Sequence, residues 1–178
     1  MNSNNPYILA QFNWTYKKTE TKNSPLNLSE LQRKKISKLP KPLIDLILHS
    51  EFLSNKNDTA WFVTYDILQE KHSDLYFSWN EFEKESLNSA MNQEDTENIK
   101  TFWDTHFCFI MSAKSGYSHI SIVTEGDNKG QIIWGSEPEY ENVNFLAQTY
   151  DEFCSMLVKH VNGTEENEVF NIILWLQN

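Results

Sequence analysis

Three stretches decide how this chain folds: residues 106–113 read HFCFIMSA, 117–124 read YSHISIVT and 131–135 read QIIWG. Each is short and dense in β-branched and aromatic residues, a composition that suits a pleated surface. Lys114-Ser115-Gly116 and Gly126-Asp127-Asn128-Lys129-Gly130 separate them with turn chemistry. Connections this short join antiparallel strands, so the region predicts a three-stranded meander. In its middle strand, alternation sets Tyr117, His119, Ser121 and Val123 on one face and Ser118, Ile120 and Ile122 on the other.

Downstream, Thr149-Tyr150-Asp151-Glu152 has the T-x-x-E form of a capping box. Phe153, Met156, Leu157, His160 and Val161 continue at helical spacing, and Asn162-Gly163 can close the helix. Phe153 and Leu157, one turn apart, are expected to face the sheet. The apolar tail at 169–176 fits strand or helix equally. Upstream, residues 59–66 (TAWFVTYD) predict a strand, and Trp79, Phe82, Ser86, Leu87 and Ala90 a helix face. Residues 92–98, with Glu94, Asp95 and Glu97, read as a solvated acidic turn. Ser24-Pro25 starts a helix near 25–38 carrying Leu28, Leu31, Lys35, Ile36 and Leu39, and Leu39-Pro40 ends it. Pro42 starts another near 42–53, with Leu43, Ile44, Ile47 and Leu48 as its buried stripe. Parity of Ile8, Ala10, Phe12 and Trp14 predicts a strand within 7–16, followed by a polar loop at 17–24.

The 178 residues suffice for one domain, and 39% hydrophobic with 13% aromatic residues excludes general disorder. The net charge of -10 is uneven: residues 1–50 carry eight bases and three acids, residues 51–178 seven bases and 22 acids. Such a chain is poorly suited to phosphate backbones and well suited to a basic partner. Arg33 is its single arginine, against the use of bidentate phosphate clamps. Cys108 and Cys154 lie far apart with no metal-like spacing, and there is no basic-then-apolar leader or membrane-length apolar run. These features predict a cytoplasmic protein with reduced, inert thiols.

Candidate chemistry is sparse. His106, Cys108 and His119 offer a thiol–imidazole pair if paired strands bring them together; a buried cysteine and two strand histidines are the plainer reading. His49, His72 and His160 show no metal spacing, and Glu83-Lys84-Glu85 reads as a solvated helix face. Asp127-Asn128-Lys129 lies between glycines in a turn rather than on a strand. Glu137-Pro138-Glu139-Tyr140-Glu141 is different. If extended, its three carboxylates point one way, toward a cation or basic protein; otherwise it is a solvated loop. No phosphate-cradling loop, nucleophile elbow or zinc ribbon is present in the sequence.

The order of these motifs resembles the SUKH superfamily, the Smi/Knr-type proteins, many of them bacterial immunity proteins. The resemblance runs from Trp103 through the strand at 106–113, Gly116-Tyr117 and Gly130-Gln131-Ile132-Ile133. It continues to Leu146-Ala147-Gln148-Thr149-Tyr150-Asp151-Glu152-Phe153, which is similar to the family's L-A-x-S-F-x-x-F helix start. Leu39-Pro40 before an apolar helix is similar to the family's L-P-x-x-Y-x-x-F-L. Ser54-Asn55-Lys56-Asn57-Asp58 stands where the family has Asn-Gly-Gly, and Gly116-Tyr117 where it has Gly-Asp. The resemblance covers roughly 25–161, leaving 1–24 as a strand-and-loop extension and 162–178 as an apolar extension. It implies an α+β fold and a toxin-binding role, and brings no catalytic residues.

The expectation is one α+β domain, an antiparallel sheet packed against several helices. Its expected role is a non-enzymatic immunity protein. It would neutralise a cognate protein toxin, a nuclease or another toxin with a basic surface, as a monomer or weak homodimer. No cofactor, nucleic acid or membrane is expected. Trp134, Glu137, Glu139, Tyr140 and Glu141 are the expected partner-binding residues, with Glu94-Asp95-Thr96-Glu97 as the next segment. The alternatives are a regulatory or scaffolding domain of the same fold, and a small hydrolase using His106, Cys108 and His119.

Overall fold

The computed structural model describes residues 6–19, 25–69 and 77–174. The expected meander is the centre of a larger one. Strands β1 (Trp14–Lys18), β2 (Ser50–Asn55), β3 (Ala60–Phe62), β4 (His106–Ser112), β5 (Ser118–Val123), β6 (Ile132–Ser136) and β7 (Asn144–Ala147) form one antiparallel sheet whose spatial order follows the chain. Around it lie α1 (Glu30–Ile36), α2 (Lys41–His49), α3 (Tyr65–Leu68), α4 (Glu81–Ser89), α5 (Gln93–Thr105), α6 (Tyr150–Val161) and α7 (Glu168–Ile173), giving an α+β domain.

The register explains how the sheet is covered on both faces. His119 pairs with Met111 and Gly135, so these residues share one face; Ile120 pairs with Ile110 and Trp134 on the other. The His119 ring meets Phe82 of α4 at 5.6 Å and Trp103 of α5 at 5.2 Å. On the opposite side Phe109 meets Phe153 of α6 edge-on at 5.3 Å, and Phe153 meets Phe170 of α7 at 5.6 Å. A bulge between Cys108 and Ile110 allows Phe109 to turn to that second face. Phe153 and Leu157 are fully buried, as the helical spacing requires. The segments flanking 25–161 share this core through Leu9, Trp14, Phe170, Ile173 and Leu174.

Several elements differ from the sequence reading. Residues 6–11 form a 3-10 turn, and the first strand begins only at Trp14, after Asn13 turns the chain at φ 59°. Pro25–Asn27 is also a 3-10 turn; the helix starts after Ser29, whose hydroxyl and Gln32 form a reciprocal capping box. Ser24 lies outside the described residues. The helix from Pro42 stops at His49 and gives way to β2, paired with β1. The 59–66 strand shrinks to Ala60–Phe62, followed by α3. Residues 93–105 are helix, not an acidic turn: Asn92 accepts from the Asp95 amide, and Glu94 and Asp95 sit where the helix dipole favours carboxylates. The tail at 168–173 is helix, capped by Asn167; residues 175–176 lie outside the described set. No helix among the described residues is long and apolar enough to cross a membrane.

Lys35 ties α1 to this frame. It is 5% exposed, and its ammonium donates to the Trp103 carbonyl at 2.5 Å near the end of α5. Burial lowers its pKa, while the charges of Glu83 and Asp104 oppose that shift.

Candidate functional site

His106, Cys108 and His119 share one face of the sheet, but thiol and imidazole do not pair directly. Cys108 pairs with Ser121 and His106 with Val123, whereas His119 lies opposite Met111. His106 caps α5, with Nδ1 2.7 Å from the Phe102 carbonyl and its ring stacked on Phe102 at 4.0 Å. His119 instead joins a buried polar chain. Its Nε2 is 2.9 Å from the Tyr140 carbonyl, an acceptor only, so Nε2 carries the proton. Nδ1 then accepts from the Ser121 hydroxyl at 2.8 Å.

Burial pushes the His119 imidazole down to about 4, holding it neutral, and pushes the Cys108 thiol well up. The cavity beside Cys108, His106 and Lys35 is about 10 Å³, room for one water at most. Here the Ser121 hydroxyl satisfies His119, and the Cys108 thiol donates to the Ile110 carbonyl at 3.3 Å, all inside the core. His49 and His160 likewise bond to backbone, at the Asp45 carbonyl and the Asn167 amide; His72 lies outside the described residues. Asp127-Asn128-Lys129 is an exposed turn. Among the described residues no group of three His, Cys, Asp or Glu could hold a metal ion.

The 137–141 segment is built differently from an extended strand. β6 ends at Ser136, and the chain then turns back over the sheet so that Tyr140 tucks inward. Tyr140 is 6% exposed, with its ring 4.7 Å from Phe82. Gly135 makes this possible. A Cβ there would lie 2.6 Å from the Tyr140 carbonyl oxygen and 2.7 Å from His119 Nε2. Glu141 is also committed, accepting from Trp103 Nε1 at 2.5 Å.

Of the five expected partner residues, Glu137, Tyr140 and Glu141 gather on the α4–α5 side. Glu139 is exposed, and Trp134, half-buried, belongs to the opposite face with Ile120. The carboxylates therefore do not alternate along a strand as an extended segment would require.

Residues that the sequence reading did not assign to this site complete the place. Tyr117, 42% exposed, meets Phe77 at a tilt with ring centroids 5.2 Å apart, and Phe77 leans on Phe82 at 6.3 Å. Phe82 and Glu85 are three apart on α4 and so share a face, which brings Glu85 to the Tyr140 side. Burial first, then the charges of Glu137 and Glu85, raise the Tyr140 phenol to about 12. The shared parity of Tyr117 and His119, and the Phe82–Glu85 spacing, were the available sequence signals.

Acidity extends outward from here. α4 carries Glu81, Glu83 and Glu85; α5 carries Glu94, Asp95, Glu97 and Asp104; the loop adds Glu137, Glu139 and Glu141. The cations on these segments are Lys84 and Lys100. The ion pairs among the described residues, Lys17–Glu51, Lys38–Glu125, Lys41–Asp45 and Lys159–Glu165, all lie elsewhere.

Comparison of the chain with protein-family models, with characterised proteins and with solved structures finds no match.

Proposed function

We propose that this chain is a non-enzymatic immunity protein that binds and neutralises a cognate protein toxin through the acidic side formed by α4, α5 and the 137–141 loop. The observation that carries the reading is the set of carboxylates on those three segments, set against Lys84, Lys100 and the buried Lys35 beside Glu83 and Asp104, and outside every ion pair among the described residues. Like charges gathered on one side repel one another and favour a partner that brings the opposite charge. A nuclease is the natural partner class, because its substrate groove is basic.

Two further features support a binding role. Of the nucleophile-type side chains, Ser121 is spent on His119, and the buried Cys108 thiol, its pKa pushed up, donates to the Ile110 carbonyl. The motif order resembles a superfamily rich in immunity proteins. Co-expression with the product of the upstream gene tests the proposal. The neighbour alone should arrest growth, and this chain should restore it and co-purify with the neighbour. A harmless neighbour, or one that neither binds nor is neutralised, overturns the reading.

A further inference from the structure

One row of paired residues crosses a face of the sheet from β1 to β5: Thr15, Ser54, Trp61, Met111 and His119. At the His119 end α4 and α5 supply Phe82 and Trp103 as cover, and Met111 and His119 are fully buried. At the other end the row finishes in two small side chains, with Thr15 exposed and Ser54 half-buried. Beside them is a cavity of about 330 Å³, lined also by Trp61, by Phe52 from the next row and by Ile67 of α3. None of its lining residues comes from α4, α5 or the 137–141 loop.

Trp61 has a polar atom to offer there. It is 8% exposed, Phe77 meets its ring at 5.5 Å, and its Nε1 finds no hydrogen-bond partner among the described residues. A buried N–H left unbonded costs stability, and an acceptor brought into the cavity offsets that cost. The charged lining is three carboxylates, Glu51, Asp58 and Asp66, against the ammonium of Lys56. Even with Glu51 paired to Lys17 at 2.8 Å the balance is negative, which disfavours an anion.

We infer that this cavity binds a small uncharged planar molecule of one or two fused rings, whose hydrogen-bond acceptor takes the Trp61 indole N–H. A cavity of roughly 150 Å³ takes up benzene, and this one is about twice that size, so two fused rings fit. Its volume falls within the ~300–1,000 Å³ range of small-molecule sites. The Trp61 and Phe52 rings suit a flat partner, and the indole N–H, a donor only, selects a ligand with a lone pair. The inference goes beyond toxin binding and stands without it.

The test titrates the intact chain with quinoline at neutral pH, where the ring nitrogen is uncharged, and follows the tryptophan indole N–H signals by NMR. The Trp61 signal should move downfield and saturate while those of the other five tryptophans stay in place. Indole, similar in size but without a lone pair to offer, should bind about three- to tenfold more weakly, the difference that one hydrogen bond makes. Quinoline-2-carboxylate should also bind more weakly than quinoline. Ser54→Leu and Thr15→Leu should each fill the hollow and remove saturable binding. They stand on different strands, so a folding defect in one variant leaves the other as the test. A stationary Trp61 signal, equal binding of indole, tighter binding of the carboxylate, or unchanged quinoline binding by a folded leucine variant would overturn the inference.

Discussion

His119 Nε2 donates to the Tyr140 carbonyl at 2.9 Å, and that bond passes over Gly135, opposite His119 on the neighbouring strand. It joins the sheet core to the acidic loop, because the same loop residue carries the ring packed on Phe82. This closure holds the 137–141 loop against the sheet.

Gly135→Ala should open it. The added methyl collides with a carbonyl oxygen and a ring nitrogen that are both fixed, so the loss is expected at about 2–3 kcal/mol, overpacking plus a lost buried hydrogen bond. Urea unfolding measures it. A loss under about 0.5 kcal/mol would mean that the loop shifts freely and is not held by His119.

The imidazole itself sets a pH dependence. Its folded pKa of about 4 lies below the ordinary 6.5, so between those values the unfolded chain binds a proton that the folded chain refuses. Stability is therefore lost as pH falls through that window, by about 3 kcal/mol from this residue alone at its lower end. NMR titration of the His119 ring should show no protonation above about pH 5; a midpoint near 6.5 would contradict the buried neutral state.

Both thiols are buried, Cys154 with its pKa pushed up to about 12. Neither should react with a thiol reagent in the native protein, and both should react in denaturant. Fast native labelling of Cys108 would restore the case for a nucleophile.

Phe153 is fully buried between Phe109 and Phe170. Phe153→Ala should cost about 3–5 kcal/mol in denaturant unfolding, and a loss under about 1 kcal/mol would place α6 outside the core.

The parts legible in the sequence were those with local causes. The meander was readable because Gly116, Gly126 and Gly130 adopt the positive φ that its turns need, and α6 because Thr149 caps the Glu152 amide. Even there the box is shifted: Glu152 reaches back to the Gln148 amide rather than to that of Thr149. What failed depended on tertiary pairing. β2 (SEFLSN) is a strand because β1 and β3 lie beside it, and its own alternation is weak. α5 was hidden by acids that suit a helix start as well as they suit a turn. Tyr140 looked like a surface anchor because carboxylates flank it; only the β6–β7 fold-back shows the ring turned onto Phe82 and His119. The aromatic exposed there is Tyr117, 35 residues from Phe82 of α4 in sequence but linked to it in the fold through Phe77.

The most direct test of the account is the association rate of this chain with the upstream gene's product, measured against ionic strength for the parent and for Glu85→Lys/Glu137→Lys/Glu139→Lys. Glu141 is left in place because it bonds to Trp103. Exposed charges act chiefly on encounter, and screening is strong beyond about 8 Å at physiological salt. The parent rate should fall steeply with added salt. The variant should associate more slowly at low salt, with a flat salt response and a melting temperature close to the parent's. Equal rates and equal salt slopes for the two proteins would contradict the claim that this acidic side receives the partner.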